Sequence, residues 1–123
     1  MIQTELLAPN TLKIVLPEKI QSGDFQNVAP QVESVIERGK INLLIDASAF
    51  DGWEDPAAFR AHATFVGGQV RPRQNVERLA VIIGHEWQRA LVAVLSTFLH
   101  PHVRAFDKAD LAQAIDWVKT GAD

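Results

Sequence analysis

The chain has 123 residues, no cysteine and a net charge of −3. This length predicts a single domain over residues 1–123, and the lack of cysteine excludes disulfides and thiolate metal sites. Apolar residues make up 47% and charged residues 22% of the chain, which excludes a disordered protein. The acidic balance argues against binding to nucleic acid.

The sequence is typical of a cytoplasmic protein. Its first residues lack the basic leader and apolar core of a secretory signal. The longest strongly apolar stretch, residues 90–99, is much shorter than the roughly 20 residues that a membrane-spanning helix needs.

A hairpin followed by a helix is predicted at the start of the chain. The strands Thr4–Leu7 and Leu12–Leu16 flank residues 8–11, whose Pro-Asn pair favours a turn. Apolar residues recur at helical spacing over residues 24–38. Pro30 lies within this pattern and is expected to kink the helix or to restart it.

Strands and helices alternate in the rest of the chain, which is typical of a largely parallel sheet covered by helices. The predicted strands are residues 41–45, 79–83 and 103–106, and the predicted helices are residues 55–66, 86–99 and 107–119. Asp55 is the expected N-cap of the second helix, and Asp107 is expected to cap the Asp110 amide in the fourth. The apolar face of the third helix comprises Trp87, Leu91, Val94, Leu95 and Phe98. The prediction is an α/β domain with about five strands and four helices.

The order and spacing of these elements resemble the SpoIIAA-like family of the STAS superfamily. The stretches that carry the resemblance are Leu43–Asp46 with Phe50–Trp53, Leu79–Gly84 with Trp87, and Val103–Phe106 with Ala114–Trp117, together with Pro30. The resemblance implies a mostly parallel sheet and a bacterial origin. It also implies binding of a small apolar or lipid-like ligand, with association to a membrane surface through mobile helices.

The resemblance also implies an alternative role as a regulatory module that binds other proteins. In sporulation-type members of the superfamily, a phosphorylated serine opens the helix after the central strand. The matching stretch here, Glu54–Ala58, contains no serine, and Ser48 lies at the strand end instead. A partner-binding function would therefore operate without this phosphorylation switch.

A candidate ligand site is expected where the central strands end. Ligands of open α/β sheets collect at the carboxyl ends of the strands, where residues 47–54 and 84–87 form loops. An apolar crevice between the second and third helices is predicted there, lined by Phe50, Trp53, Phe59, Phe65, Trp87 and Leu91. The alternative for these side chains is ordinary core packing.

The second helix is predicted to contribute polar contacts to the ligand. Arg60 and His62 are the candidates for meeting an acidic head group or an anionic lipid surface, with Arg71 or Arg73 in support. The alternative is a solvent-facing pair. Small side chains in this helix and the glycines at 67 and 68 permit movement as a lid, or close packing on the sheet.

No catalytic or metal-binding pattern emerges from the remaining polar residues. Adjacent residues such as His85 and Glu86 seldom face each other at a helix start. No cysteine or carboxylate lies near the His100–His102 segment in sequence, and Asp46 is expected to cap backbone amides of the following loop. We therefore predict a non-enzymatic binding module without cofactor or metal. Its expected partners are a small apolar or amphipathic ligand, an anionic membrane surface or another protein.

Overall fold

The computed structural model describes residues 2–37, 39–65, 76–98 and 102–121. The strands are β1 (Gln3–Ala8), β2 (Thr11–Val15), β3 (Ile41–Ala47), β4 (Val76–Ile83) and β5 (His102–Asp107). The helices are α1 (Phe25–Ile36), α2 (Pro56–Phe65), α3 (Glu86–Phe98) and α4 (Leu111–Thr120), with short 3-10 turns before α1 and α4.

The five strands form one mixed sheet in the order β1-β2-β3-β4-β5. The antiparallel pair β1–β2 is the predicted hairpin, and β2, β3, β4 and β5 pair in parallel. The predicted α/β fold is therefore confirmed. Among the described helices, none has the length and apolar character needed to cross a membrane.

Two apolar cores cover the two faces of the sheet. The larger core joins β2, β3 and β4 to α1 and α2, and includes Leu43 and Val28. The smaller core packs α4 against the other face through Leu44, Ile82 and Trp117. Successive residues of β3 point to opposite faces, so the nearly uninterrupted apolar run serves both cores.

Helix α1 runs through Pro30 as one helix, so the alternative of a restart at this residue is wrong. Proline removes the hydrogen bond that its amide would have donated to the carbonyl of Gln26. Both residues are exposed, which lets water replace the lost partner.

Helix α3 differs from the prediction in the face that it buries. Its described buried side chains are Gln88 and Val92, whereas Trp87, Leu91 and Val94 are 41%, 39% and 56% exposed. The apolar residues thus lie at the edge of the contact with the sheet, because the inward position is taken by a glutamine. The predicted side chains of Leu95 and Phe98 lie outside the described set.

Two further predictions concern helix ends. The Asp55 carboxylate accepts a hydrogen bond from the Ala58 amide at 2.8 Å, which confirms the cap of α2. Asp107 makes no side-chain cap, and its carboxylate accepts a hydrogen bond from Arg89 at 2.8 Å instead. The glycines at 67 and 68, which follow the predicted second helix, lie outside the described residues, as does Arg38.

Candidate functional site

A cavity of about 170 Å³ lies between helices α1, α2 and α3 and the face of the sheet that the larger core covers. Its described lining comprises Ile2, Ile14, Leu16, Phe25, Val28, Ile45, Ala47, Phe50, Trp53, His62, Phe65, Leu79, Val81, Trp87, Gln88, Leu91 and Val92. No residue in this lining is lysine, arginine, aspartate or glutamate. The site is therefore an apolar chamber with two polar side chains.

Aromatic rings form a continuous wall around this cavity. Trp53 contacts Phe50 edge to face, with the ring centroids 5.1 Å apart, and its centroid lies 6.5 Å from that of Trp87. On the other side, the ring of Phe25 lies 5.1 Å from His62 and 5.2 Å from Phe65. Such pairs contribute about 0.5–1.5 kcal/mol each beyond their area burial, so the wall is a defined structure.

Trp53 is held in place by backbone pairing with the segment that follows β2. The Ile20 amide donates to the Gly52 carbonyl at 3.1 Å, and the Glu54 amide donates to the Ile20 carbonyl at 2.8 Å. Gly52 has a φ of 128°, which side-chain-bearing residues rarely adopt. The glycine before Trp53 thus turns the chain so that the indole faces the helices.

Gln88 joins the two loops at the carboxyl ends of β3 and β4. Its side-chain nitrogen donates to the carbonyls of Ala47 and Phe50, at 3.0 and 2.7 Å. Its side-chain oxygen accepts from the amides of Gly84 and His85, at 2.7 and 3.2 Å. The amide is 3% exposed and all of its hydrogen-bonding capacity is used, so Gln88 has a structural role here.

His62 is an uncharged member of the cavity wall. Its Nδ1 accepts a hydrogen bond from the Trp53 indole nitrogen at 3.0 Å. Burial lowers the pKa of His62 from 6.5 to about 4, because the apolar surroundings disfavour the imidazolium. The neutral ring therefore carries its proton on Nε2.

Six of the eight residues predicted to contact the ligand line this cavity. They are Phe50, Trp53, His62, Phe65, Trp87 and Leu91. Phe59 lies outside it and is 51% exposed, with its ring centroid 4.9 Å from that of Trp53. Arg60 is exposed and is not part of the lining.

Arg60 and His62, the predicted contacts for an acidic head group, do not lie at one site in the structure. Arg60 faces solvent, whereas His62 faces the cavity and is neutral at pH 7. Residues two apart on a helix point in different directions, which separates the two side chains. Arg71 and Arg73 lie outside the described residues.

The polar residues set aside by the sequence do not assemble a catalytic or metal centre in the described part of the chain. The Asp46 carboxylate accepts hydrogen bonds from the Ser48 amide and hydroxyl, at 3.1 and 2.7 Å, as a cap of the following loop. His85 lies 3.9 Å from Asp51, and Glu86 pairs with Arg89. Within the same residues, no cluster of three metal-ligating side chains occurs.

Sequence reasoning missed several lining residues. Phe25 lies within the predicted first helix, and Ile14, Ile45 and Val81 lie within predicted strands, where apolar residues are ordinary core positions. No local pattern indicates the inward position of Gln88, because the carbonyls to which it donates are about 40 residues away.

The depressed pKa of His62 predicts a stability change between pH 6.5 and 4. Over this range the unfolded state binds more protons than the folded state, so the free energy of unfolding falls as the pH is lowered. We expect this group to contribute a loss of up to about 3 kcal/mol, complete near pH 4. Urea unfolding across this range measures the effect.

His62→Phe is expected to lack this part of the pH dependence, because phenylalanine does not titrate. Thr64→Phe is the control, since Thr64 is exposed on the same helix and does not titrate. Equal pH profiles for His62→Phe and the unaltered protein would contradict the assignment.

Comparison with known proteins places this geometry in a family. A crystal structure of an uncharacterised protein from Shewanella loihica with a SpoIIAA-like fold superposes with a TM-score of 0.76 at 23% identity, covering 96% of this chain and 92% of that one. The Bacillus cell fate determinant SpoIIAA in its phosphorylated form gives a TM-score of 0.62 at 11% identity, covering 94% and 99%. Both likenesses concern the fold. No curated protein matches the chain.

The sequence itself carries the family assignment. The profile of the SpoIIAA-like family matches residues 11–119, which include every strand from β2 to β5 and nearly all of α4. The family supports a regulatory or interaction module as the coarse description of function. The chain belongs to the SpoIIAA-like family.

Proposed function

We propose that the chain is a non-enzymatic binding module that takes a small apolar or lipid-like ligand into the cavity beneath α2 and α3. The observation that supports this proposal is the cavity itself, which is about 170 Å³ in volume and almost wholly apolar in its lining. An engineered apolar cavity of about 150 Å³ stays dry and binds benzene, so this volume suits a ligand of similar or slightly larger size.

The contacts of the polar side chains near the cavity support a binding role over catalysis. Within the described residues, the hydroxyl of Ser48 is engaged by Asp46, and His62 is engaged by an indole instead of a carboxylate. A nucleophile needs an adjacent base that is itself oriented by a third group. Asp46 and Gln88 serve instead to position loops.

Peripheral association with an anionic membrane is the finer part of this proposal. Trp87 and Leu91 both line the cavity and remain partly exposed, and Val94 continues the same stripe on α3. A ligand that leaves a bilayer would enter past such a rim. Arg60 is the exposed cation on the neighbouring helix, and one cation contributes only about 1 kcal/mol of attraction to an anionic surface.

Filling the cavity is expected to abolish ligand binding. Ethylbenzene should bind the unaltered protein with a Kd of about 0.1–1 mM, and Val81→Phe should weaken it at least about tenfold by occupying the space. Emission from Trp53 and Trp87, which line the cavity, and calorimetric titration measure this.

The control is Val15→Phe, because Val15 alternates with Ile14 and Leu16 on β2 and faces away from the cavity. Binding of ethylbenzene that is equal in Val81→Phe and the unaltered protein would contradict the proposal. Native mass spectrometry of the freshly purified protein then identifies any retained ligand.

A second candidate function is an STAS-type module that binds another protein without a phosphorylated serine. It is favoured by the exposed apolar side chains Trp87, Leu91 and Val94 on α3 and by Phe59 on α2. Exposed contiguous apolar groups mark interaction surfaces. If ethylbenzene fails to bind and Leu91→Glu loses the protein partner, this candidate is selected. If the protein instead co-sediments with anionic vesicles, the membrane surface is selected.

A further inference from the structure

We propose that His62 selects ligands with one uncharged oxygen acceptor, such as a ketone or ester carbonyl, over anions and over plain hydrocarbons. This inference rests on the proposed function, since it names the chemical class that the same cavity takes. It depends on three observations: the absence of charge in the described lining, the fixed tautomer of His62, and the saturation of Gln88.

Besides the indoles of Trp53 and Trp87, two side chains in the described lining carry strong hydrogen-bonding groups, His62 and Gln88. Gln88 spends both of its amide hydrogens on Ala47 and Phe50, and its oxygen on two backbone amides. The indole nitrogen of Trp53 spends its hydrogen on Nδ1 of His62. Neither Gln88 nor Trp53 is therefore left to meet a ligand.

Apart from the indole of Trp87, which is 41% exposed on α3, the remaining side-chain donor in the described lining is Nε2 of His62. Since Nδ1 is the acceptor for Trp53, the proton of the neutral ring lies on Nε2. Among the described residues, Nδ2 of Asn42 is the one buried side-chain nitrogen or oxygen without a hydrogen-bond partner. Nε2 of His62 is therefore not buried without a partner in the core. His62 lines the cavity, and a ligand acceptor there would complete its hydrogen bonding.

The same wall disfavours an anion. A carboxylate moved into the cavity loses its hydration and meets only neutral donors, with no lysine or arginine in the described lining. The apolar surroundings that lower the pKa of His62 also disfavour a compensating imidazolium. A carbonyl oxygen has a far smaller hydration to lose and accepts the same hydrogen bond.

The volume limits the size of this ligand. About 170 Å³ suits a single ring with a short substituent, whereas a long acyl chain would fill the cavity with only one end. Acetophenone, ethylbenzene and benzoate make a suitable series, because all three have one benzene ring and differ in the group that would face His62.

The test is calorimetric titration of the full chain with these three probes at pH 7.5. We expect acetophenone to bind about 2- to 12-fold more tightly than ethylbenzene, as one net hydrogen bond provides. Benzoate should bind at least about tenfold more weakly than acetophenone. Because Trp53 donates to the same imidazole, the indole ¹H–¹⁵N resonance of Trp53 should shift more with acetophenone than with ethylbenzene.

Variants of His62 provide the matched controls. His62→Phe keeps a ring in the wall and should bind acetophenone and ethylbenzene equally. His62→Gln retains an acceptor for Trp53 and a donor for the ligand, and should restore part of the preference. This second variant and the ranking of probes by the unaltered protein keep the test valid if His62→Phe does not fold.

The outcomes separate this inference from the proposed function. Equal binding of acetophenone and ethylbenzene by the unaltered protein, tight binding of benzoate, or a preference that persists in His62→Phe would overturn the role of His62 and leave the apolar site intact. Failure of both neutral probes to bind would overturn the proposed function as well.

Discussion

Gly84→Ala is expected to lower the free energy of unfolding by about 3 kcal/mol or more, or to prevent folding. A Cβ atom at this position would lie 2.2 Å from the carbonyl oxygen of Ser48 and 3.0 Å from its carbonyl carbon. Real Cβ atoms do not approach backbone this closely, so one of the two loops would have to move. Overpacking in a well-packed region costs about 1–3 kcal/mol, and a backbone clash belongs at or above the upper end.

The Ser48 loop has little freedom to move away from such a group. Its amide and hydroxyl both donate to the Asp46 carboxylate, and the Gly84 amide donates to Gln88. The clash would therefore spread into the contacts that hold Phe50 at the cavity. We expect weaker binding of ethylbenzene as well as lower stability.

Urea unfolding followed by circular dichroism measures this loss. Gly23→Ala is the matched control, because a Cβ atom at Gly23 has open space around it and the residue is exposed. It should change the free energy of unfolding by less than about 0.5 kcal/mol. A Gly84→Ala protein as stable as Gly23→Ala would show that the two loops do not lie this close.

Gln88→Glu is expected to lower the free energy of unfolding by about 2–4 kcal/mol at pH 7. The substitution preserves shape and retains an oxygen for the amides of Gly84 and His85. It replaces the nitrogen that donates to the Ala47 and Phe50 carbonyls with a second oxygen, which leaves two acceptors facing a buried carboxylate. Each buried partner left unsatisfied costs about 1–3 kcal/mol, and burial of the charge adds to this.

Chemical unfolding and ligand titration together distinguish this loss from a general effect of the added charge. Gln113→Glu is the control, since Gln113 is exposed on α4 and should change stability by no more than about 0.5 kcal/mol. Because Phe50 lines the cavity, Gln88→Glu should also weaken ethylbenzene binding in the fraction that remains folded. Equal stability of the two variants would contradict the structural role of Gln88.

The secondary structure follows from patterns within short segments of the chain. The apolar run at residues 41–45 and the Asp55-Pro56 start of α2 each contain their own local signal, and both predictions hold. Parallel strands place their loops at one edge, and the loop after β3 brings Phe50 and Trp53 to the cavity, but the cavity also extends along the face of the sheet past Ile45 and Val81.

Orientation of individual side chains was less accessible. On α3 the apolar spacing alone favoured an inward Trp87 and Leu91, yet Gln88 occupies the inward position. Four hydrogen bonds compensate for burying its amide. Two of them reach carbonyls about 40 residues away, and such partners are not visible in a helical pattern. The same limit applies to Asn42, buried in β3, whose oxygen accepts from the amide of Arg78 where the β3–β4 register shifts.

Sequence patterns are sufficient to predict the α/β class and the family likeness, because these depend on periodicity, caps and strand order. The tertiary structure alone decided that His62 is neutral and faces inward while Arg60 faces solvent. The charge state of an imidazole depends on desolvation by residues distant in sequence, here Phe25 and Trp53, and only their packing brings them to it.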